Sequence, residues 1–266
     1  MQETYAPVIL ARKAARLRKE TGNNDLKSKF DTGLTPAEHI KRALIRPSKM
    51  LVFSPIVAMM SLYMSVVYAI LYLLFTTFTF VFEQYYHFSS GSAGLVYIAL
   101  GIGMILGLGI VGTLSDRIIK GLMAKGAELK PEDRLPIPVT LGGGLCIPVG
   151  LFIYGWTAQY HVQWAVPLLG TLFVGVGLIS IFMCVQTYLI DAFTIHAASA
   201  IAANTVLRSV FGALLPLAGL RMYDALSLGW GNSLLAFVAL ALVPTPIIFK
   251  IYGERIRTSK RFQVKF

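Results

Sequence analysis

From Leu51 to Phe82 the chain carries no Asp, Glu, Lys or Arg. The same holds from Gln84 to Ser115 and from Leu135 to Ile190. A bilayer core about 30 Å thick needs roughly 20 apolar residues in a helix to cross it. In hydrocarbon every backbone polar group must also be satisfied within the segment, which leaves helices or closed barrels. Continuous apolar runs, without alternation of apolar and polar residues, select helices. The composition agrees, with 56% hydrophobic and 14% charged residues against about 25% charged in soluble domains.

The spacing predicts an all-α membrane protein with six transmembrane helices, over about 57–82, 92–114, 135–156, 164–187, 199–222 and 232–250. The short polar turn TAQYHVQ divides them into two groups of three. Residues 1–50 read as a cytosolic basic segment, 51–250 as the bundle and 251–266 as a basic tail. Within the first segment LARKAARLRKE predicts a basic surface helix, and GNNDLKSKFDTG a loop. TPAEHIKRALIR predicts a short amphipathic helix with Thr35 as N-cap, ending before Pro47.

The net charge of +11 would raise nucleic acid as a partner in a soluble protein. Here its distribution supplies another cause. Eleven Lys and Arg precede the first span, five lie in the second connection, and six lie in the tail from Lys250. The connections EQYYHFSSG and TAQYHVQ carry none. By the positive-inside rule both termini are cytosolic, and no nucleic acid is expected. Tyr85, Tyr86, Trp156, Tyr160, Trp164, Tyr223 and Trp230 fall at the opposite ends, as an interfacial aromatic belt does. Cys146 and Cys184 lie inside apolar runs and read as small buried hydrophobes. No paired intramembrane carboxylate, metal-ligand spacing or nucleophile with a base is present, so no enzyme, cofactor or metal site is expected.

Two polar groupings stand out. Gly103 and Gly107 form a GxxxG pair suited to close helix packing. Farther on, Gly112 sits one turn before Asp116, so a neighbouring helix can approach and Asp116 can accept from its N-terminus. Arg117 can reach a carboxylate. The second grouping lies in YLIDAFTIHAASAIAANTVLRS, where Asp191 falls just past the fourth span and Arg208 lies within the fifth. A buried arginine faces the bundle interior, a partner or a wet cavity, or it snorkels. Asn204 adds a polar group one turn before it, and His196 reads as a solvated residue of the turn. Tyr68 and Tyr72 share a helix face, either lining a pathway or bonding to a neighbouring helix.

The segments ETYAPVILARKAARLRKETG, GTLSDRI, PEDRLP, YLIDAFTIHAASAIAANTVLRSVFGALLPL and YGERIRTSKRF resemble the C-terminal half of a major facilitator superfamily transporter. More narrowly, they resemble the fungal twelve-spanner drug:proton antiporter group, the multidrug and polyamine exporters. The resemblance implies a half-bundle of two three-span inverted repeats. It implies proton-coupled efflux of a drug, toxin or polyamine from a plasma or vacuolar membrane. It makes Gly112, Asp116, Arg117 and Asp191 a cytosolic gating motif, with an Arg117–Asp191 ion pair. It makes Tyr68, Tyr72, Asn204 and Arg208 candidates for the substrate cavity. The expected partners are the lipid bilayer, a small molecule and protons. An incomplete, half-length form is expected, needing an N-terminal six-helix half or another chain. The alternative is a non-transporting six-span scaffold or regulator.

Overall fold

The computed structural model describes residues 6–23, 26, 28, 36–124, 126 and 129–259. Among these no strand occurs. The chain divides into two compact units, Met1–Ile45 and Arg46–Phe266. In the first, α1 (Ala6–Thr21) is the expected basic helix, with Arg16 paired to Glu20 at 2.7 Å and Arg18 Nε donating to Leu26 O at 2.7 Å. Thr35 and most of the expected loop lie outside the described residues. Helix α2 (Pro36–Phe53) corrects one expectation: it continues through Pro47 instead of ending before it. Proline removes one backbone donor and crowds the preceding turn, but it does not forbid helix on both sides.

The second unit holds α3 (Pro55–Tyr86), α4 (Ser90–Gly94), α5 (Val96–Ala124), α6 (Ile137–Gln159), α7 (Ala165–Phe193), α8 (Ala197–Leu242) and α9 (Pro244–Thr258). Short 3-10 turns at Pro131–Arg134 and Thr194–His196 precede α6 and α8. Ser54 caps α3 by accepting from Val57 N, and Pro55 supplies a first helical residue that needs no donor. Four helical stretches are long and apolar enough to cross a membrane: Pro55–Tyr86, Ser90–Ala124, Ile137–Gln159 and Ala165–Thr258.

The last stretch is far longer than one crossing needs, and it folds back twice. At Thr194 the backbone turns with φ 20°, and Asn204 of α8 returns to Gln186 of α7, Nδ2 to Oε1 at 3.5 Å. At Ser227, with φ 63° and ψ 169°, α8 breaks into two arms, and Tyr223 Oη donates across the turn to Asn232 Oδ1 at 3.2 Å. That backbone region costs a residue with a side chain about 1–3 kcal/mol. Gln159 offsets the cost: its Oε1 accepts from Ser227 Oγ at 3.0 Å and from Gly229 N at 2.6 Å. The sixth expected span, 232–250, falls on the second arm of α8, which ends at Leu242, and on α9, which Pro244 opens; Val243 between them keeps helical backbone angles, φ −54° and ψ −36°.

Glycines set how the helices pair. A Cβ on Gly107 of α5 would lie 2.8 Å from Val176 O, and Gly103 lies against Leu172, so α5 and α7 run parallel in close contact. Gly150 and Gly170 face each other, as do Gly143 and Gly177, so α6 runs antiparallel to α7. The second arm of α8 runs antiparallel to α6, through Phe152–Phe237 at 5.4 Å and Trp156 Nε1 donating to Ser233 Oγ at 3.1 Å. Its first arm runs parallel to α3, with Arg208 beside Tyr68 and Gly212 beside Tyr72. The Ser227 end of this bundle carries the aromatic cluster, where Trp156 meets Tyr160 at 5.9 Å and Trp230 at 5.6 Å.

A Cβ on Gly170 would sit 2.7 Å from Gly150 O and 2.7 Å from Tyr154 N, both backbone atoms. Gly170→Ala is therefore expected to cost about 1–3 kcal/mol, read as the unfolding midpoint in mild detergent. Gly142→Ala meets nothing within 4 Å and is expected to stay within about 0.5 kcal/mol of the parent.

Candidate functional site

Two sites follow from this frame. One lies inside the bundle, where α3, α7 and the first arm of α8 meet. Arg208 stands about 16 Å along α8 from Ala197 at 1.5 Å per residue. Its guanidinium carbon lies 4.7 Å from the Tyr68 ring centroid on α3 and 5.3 Å from the Phe182 ring on α7. Rings at these distances attract a cation through their negative faces. The Tyr68 and Tyr72 rings are 5.0 Å apart, and Phe75 continues the wall 6.1 Å from Tyr72. Asn204, 1% exposed, lies one turn from Arg208. All four candidate cavity residues thus come to one place. Phe182 and Gln186 join them from α7, and their spacing of four residues was the signal for a shared face.

The polar capacity of this site is only partly used. Among the described residues, Arg208 Nε and Asn204 Oδ1 are buried without a hydrogen-bond partner. No carboxylate among the described residues pairs with Arg208. Buried polar atoms are rarely left unpaired; among the described residues the Tyr63, Tyr154 and Tyr188 hydroxyls share this condition.

The second site is a charged hub at the Thr194 end, organised by Pro131–Arg134. Arg134 Nε donates to Asp191 Oδ2 at 2.6 Å. Lys130 Nζ reaches Glu254 at 2.7 Å, and Lys250 Nζ reaches Asp133 at 2.6 Å. Arg257 Nε lies 3.5 Å from Glu132, whose carboxylate is otherwise enclosed, the residue being 4% exposed. The turn therefore ties α7 to α9. A pocket of about 210 Å³ opens beside it, lined by Lys130, Asp133, Arg134 and Asp191. Burial works against the Asp133 charge. Hydrogen bonds from Lys250 and from the Lys130 backbone N–H overcome it and hold the carboxyl below its ordinary pKa.

This geometry corrects the expected gate. Asp191 pairs with Arg134, not with Arg117. The 3-10 turn after Pro131 delivers Arg134 to the end of α7, whereas Arg117 is exposed on α5. Asp116 is exposed as well, and makes none of the expected hydrogen bonds to a helix N-terminus among the described residues. A Cβ on Gly112 would meet nothing within 4 Å; close approach on α5 occurs at Gly103 and Gly107 instead. Sequence reasoning missed Glu132, Asp133, Arg134, Lys250, Glu254 and Arg257 as one unit. The available signal was the alternation of charge in LKPEDR against the basic and acidic residues of IFKIYGERIR.

A family model described as the Major Facilitator Superfamily matches residues 6–216. Among curated relatives, the MFS-type transporter penM of Penicillium rubens is 57% identical over 100% of this chain and 52% of its own length. The MFS-type transporter atr4 of Stereocaulon alpinum is 57% identical over 98% of this chain and 47% of its own length. The efflux pump radE of Floropilus chiversii is 53% identical over 100% of this chain and 49% of its own length. The chain spans about half the length of the curated relatives it matches. No solved structure matches it.

The hub generates two predictions. A double-mutant cycle between Arg134 and Asp191 should return a coupling of about 0.2–1 kcal/mol, since the side chains are 40% and 36% exposed. The same cycle between Arg117 and Asp191 should return none. Asp133→Asn should destabilise by roughly 0.5–1 kcal/mol near neutral pH. Because the folded-state pKa is lowered, that contribution is present above the unfolded value and fades as pH falls through the folded one. Thermal melts of parent and variant should therefore converge on acidification below about pH 4.

Proposed function

The chain belongs to the Major Facilitator Superfamily, and on that premise we propose that it forms the C-terminal half of a proton-coupled exporter of small molecules. It is a multi-pass membrane protein of a transporter family. In this reading α3, α5, α6, α7 and the two arms of α8 are six crossings, and the basic ends are cytosolic. The regular reversal of helix direction and the turns at Thr194 and Ser227 support six. The plasma membrane is the proposed location. The comparisons lend no support to the scaffold alternative.

The observation that carries the functional reading is the Tyr68, Tyr72, Asn204 and Arg208 cluster. It places unspent polar capacity deep inside otherwise apolar helices. An arginine at that depth is expensive in hydrocarbon, and a substrate cavity gives it a wet or ligand-filled face. Transport by alternating access also needs the two ends of the cavity closed in turn. At the cytosolic end the Pro131–Arg134 hub can bind α7 to α9, and its outer pairs, Lys130–Glu254 and Arg134–Asp191, are exposed enough to break at little cost. At the other end Gln159 holds the Ser227 turn. Gly112, Asp116 and Arg117, uncovered on α5, are proposed to meet the complementary half.

The test is efflux. A chimera in which this chain completes one of its relatives should expel a fluorescent dye from cells. A protonophore should abolish that efflux, and Arg208→Gln should reduce it at least about tenfold, as losing a charge-assisted contact does. The chain alone should not support efflux. A chimera that reaches the membrane and moves no member of a broad dye panel would sink the proposal. Efflux that persists with the protonophore would remove the proton coupling.

A further inference from the structure

The arginine cluster has a chemistry of its own. A guanidinium carries five N–H donors and no acceptor, and it stays protonated at any relevant pH. Whatever completes its hydrogen bonding must be an acceptor, and an anionic oxygen is the strongest one, especially in bidentate geometry. Tyr68 and Phe182 stand beside the guanidinium at 4.7 Å and 5.3 Å. They stabilise the charge without neutralising it or supplying an acceptor in the plane of the fork. Asn204 Oδ1, buried and unpartnered one turn away, asks for the opposite: a donor. Beside both runs the wall of Tyr68, Tyr72 and Phe75, with Tyr72 39% exposed on the open side.

We propose that this site binds an organic anion, a carboxylate or equivalent delocalised oxyanion seated on Arg208, whose conjugated or aromatic body lies along Tyr68, Tyr72 and Phe75. A hydroxyl or N–H close to the anion answers Asn204. The inference rests on the reading of this cluster as a substrate cavity and supplies its chemical class. It opposes a polyamine as cargo. A cation entering here would meet a guanidinium that no carboxylate among the described residues neutralises, and like charges repel.

Three matched probes test it in lipid nanodiscs carrying the chain: 2-naphthoate, 2-naphthalenemethanol and 2-naphthylmethylammonium, followed by naphthalene fluorescence. The expected order is naphthoate tightest, the alcohol at least about tenfold weaker, and the ammonium weakest, because a charge-assisted pair is lost and then reversed. Arg208→Gln should remove the preference for naphthoate, weakening it far more than the alcohol, and Arg208→Lys should restore part of it. Naphthoate no tighter than the alcohol overturns the proposal, as it would if a carboxylate from elsewhere already occupied Arg208. So does a preference for the ammonium, or an Arg208→Gln effect equal on all three probes. The three-probe comparison on the unmodified chain stands even if a variant fails to fold. Binding is read without transport, so naphthoate binding together with a failed efflux assay would spare this inference and defeat the transporter reading.

Discussion

The close approach of α5, α6 and α7 through glycine is the contact on which the rest of this bundle depends. Between helices in lipid there is no hydrophobic drive, because the lipid tails are as apolar as leucine. Association then relies on dispersion, which falls away within an ångström of lost contact. Gly103 and Gly107 on α5, Gly143 and Gly150 on α6, and Gly170, Gly175 and Gly177 on α7 remove the side chains that would hold these backbones apart. With α7 gripped on two sides, its remaining face presents Phe182 and Gln186 toward α8.

That placement links packing to chemistry. Arg208 would be an isolated charge on a lone helix. Packed as it is, it sits between the Tyr68 and Phe182 rings, and the neighbouring Asn204 is drawn to Gln186. The bundle thus tolerates a cation by surrounding it with polarisable rings, and leaves its donors available. The same division of labour appears at the two ends. Ion pairs join the Thr194 end, Lys130–Glu254 and Arg134–Asp191 exposed and worth little, Lys250–Asp133 and Arg257–Glu132 more enclosed. Hydrogen bonds accepted by a single glutamine oxygen hold a strained turn at the Ser227 end.

Residue by residue, the apolar architecture was legible before the structure, and so was the GxxxG contact. Tyr68, Tyr72, Asn204 and Arg208 were legible as polar residues within spans, family resemblance made all four cavity candidates, and they converge. The hub was not. Asp191 was visible as a charge at a span end, but its partner had two candidates in the same connection, Arg117 and Arg134. Which one reaches it depends on the path of the chain after Pro131, and local spacing carries no information about that path. Pro47 misled, because α2 continues through it. A proline weakens a helix locally, and whether the helix continues through it depends on what packs around it.

By itself the sequence determined that this chain must be helical and membrane-embedded. Long uncharged runs leave no other way to satisfy the backbone in hydrocarbon. It also kept Lys and Arg out of the three long apolar runs, Leu51 to Phe82, Gln84 to Ser115 and Leu135 to Ile190. Tertiary structure alone decided which charges meet and which remain unanswered. Arg134 reaches Asp191, Arg117 does not, and Arg208 Nε finds no acceptor among the described residues. Those outcomes turn on helix rotation and on the route of one short connection, which many apolar sequences of this pattern could have arranged differently.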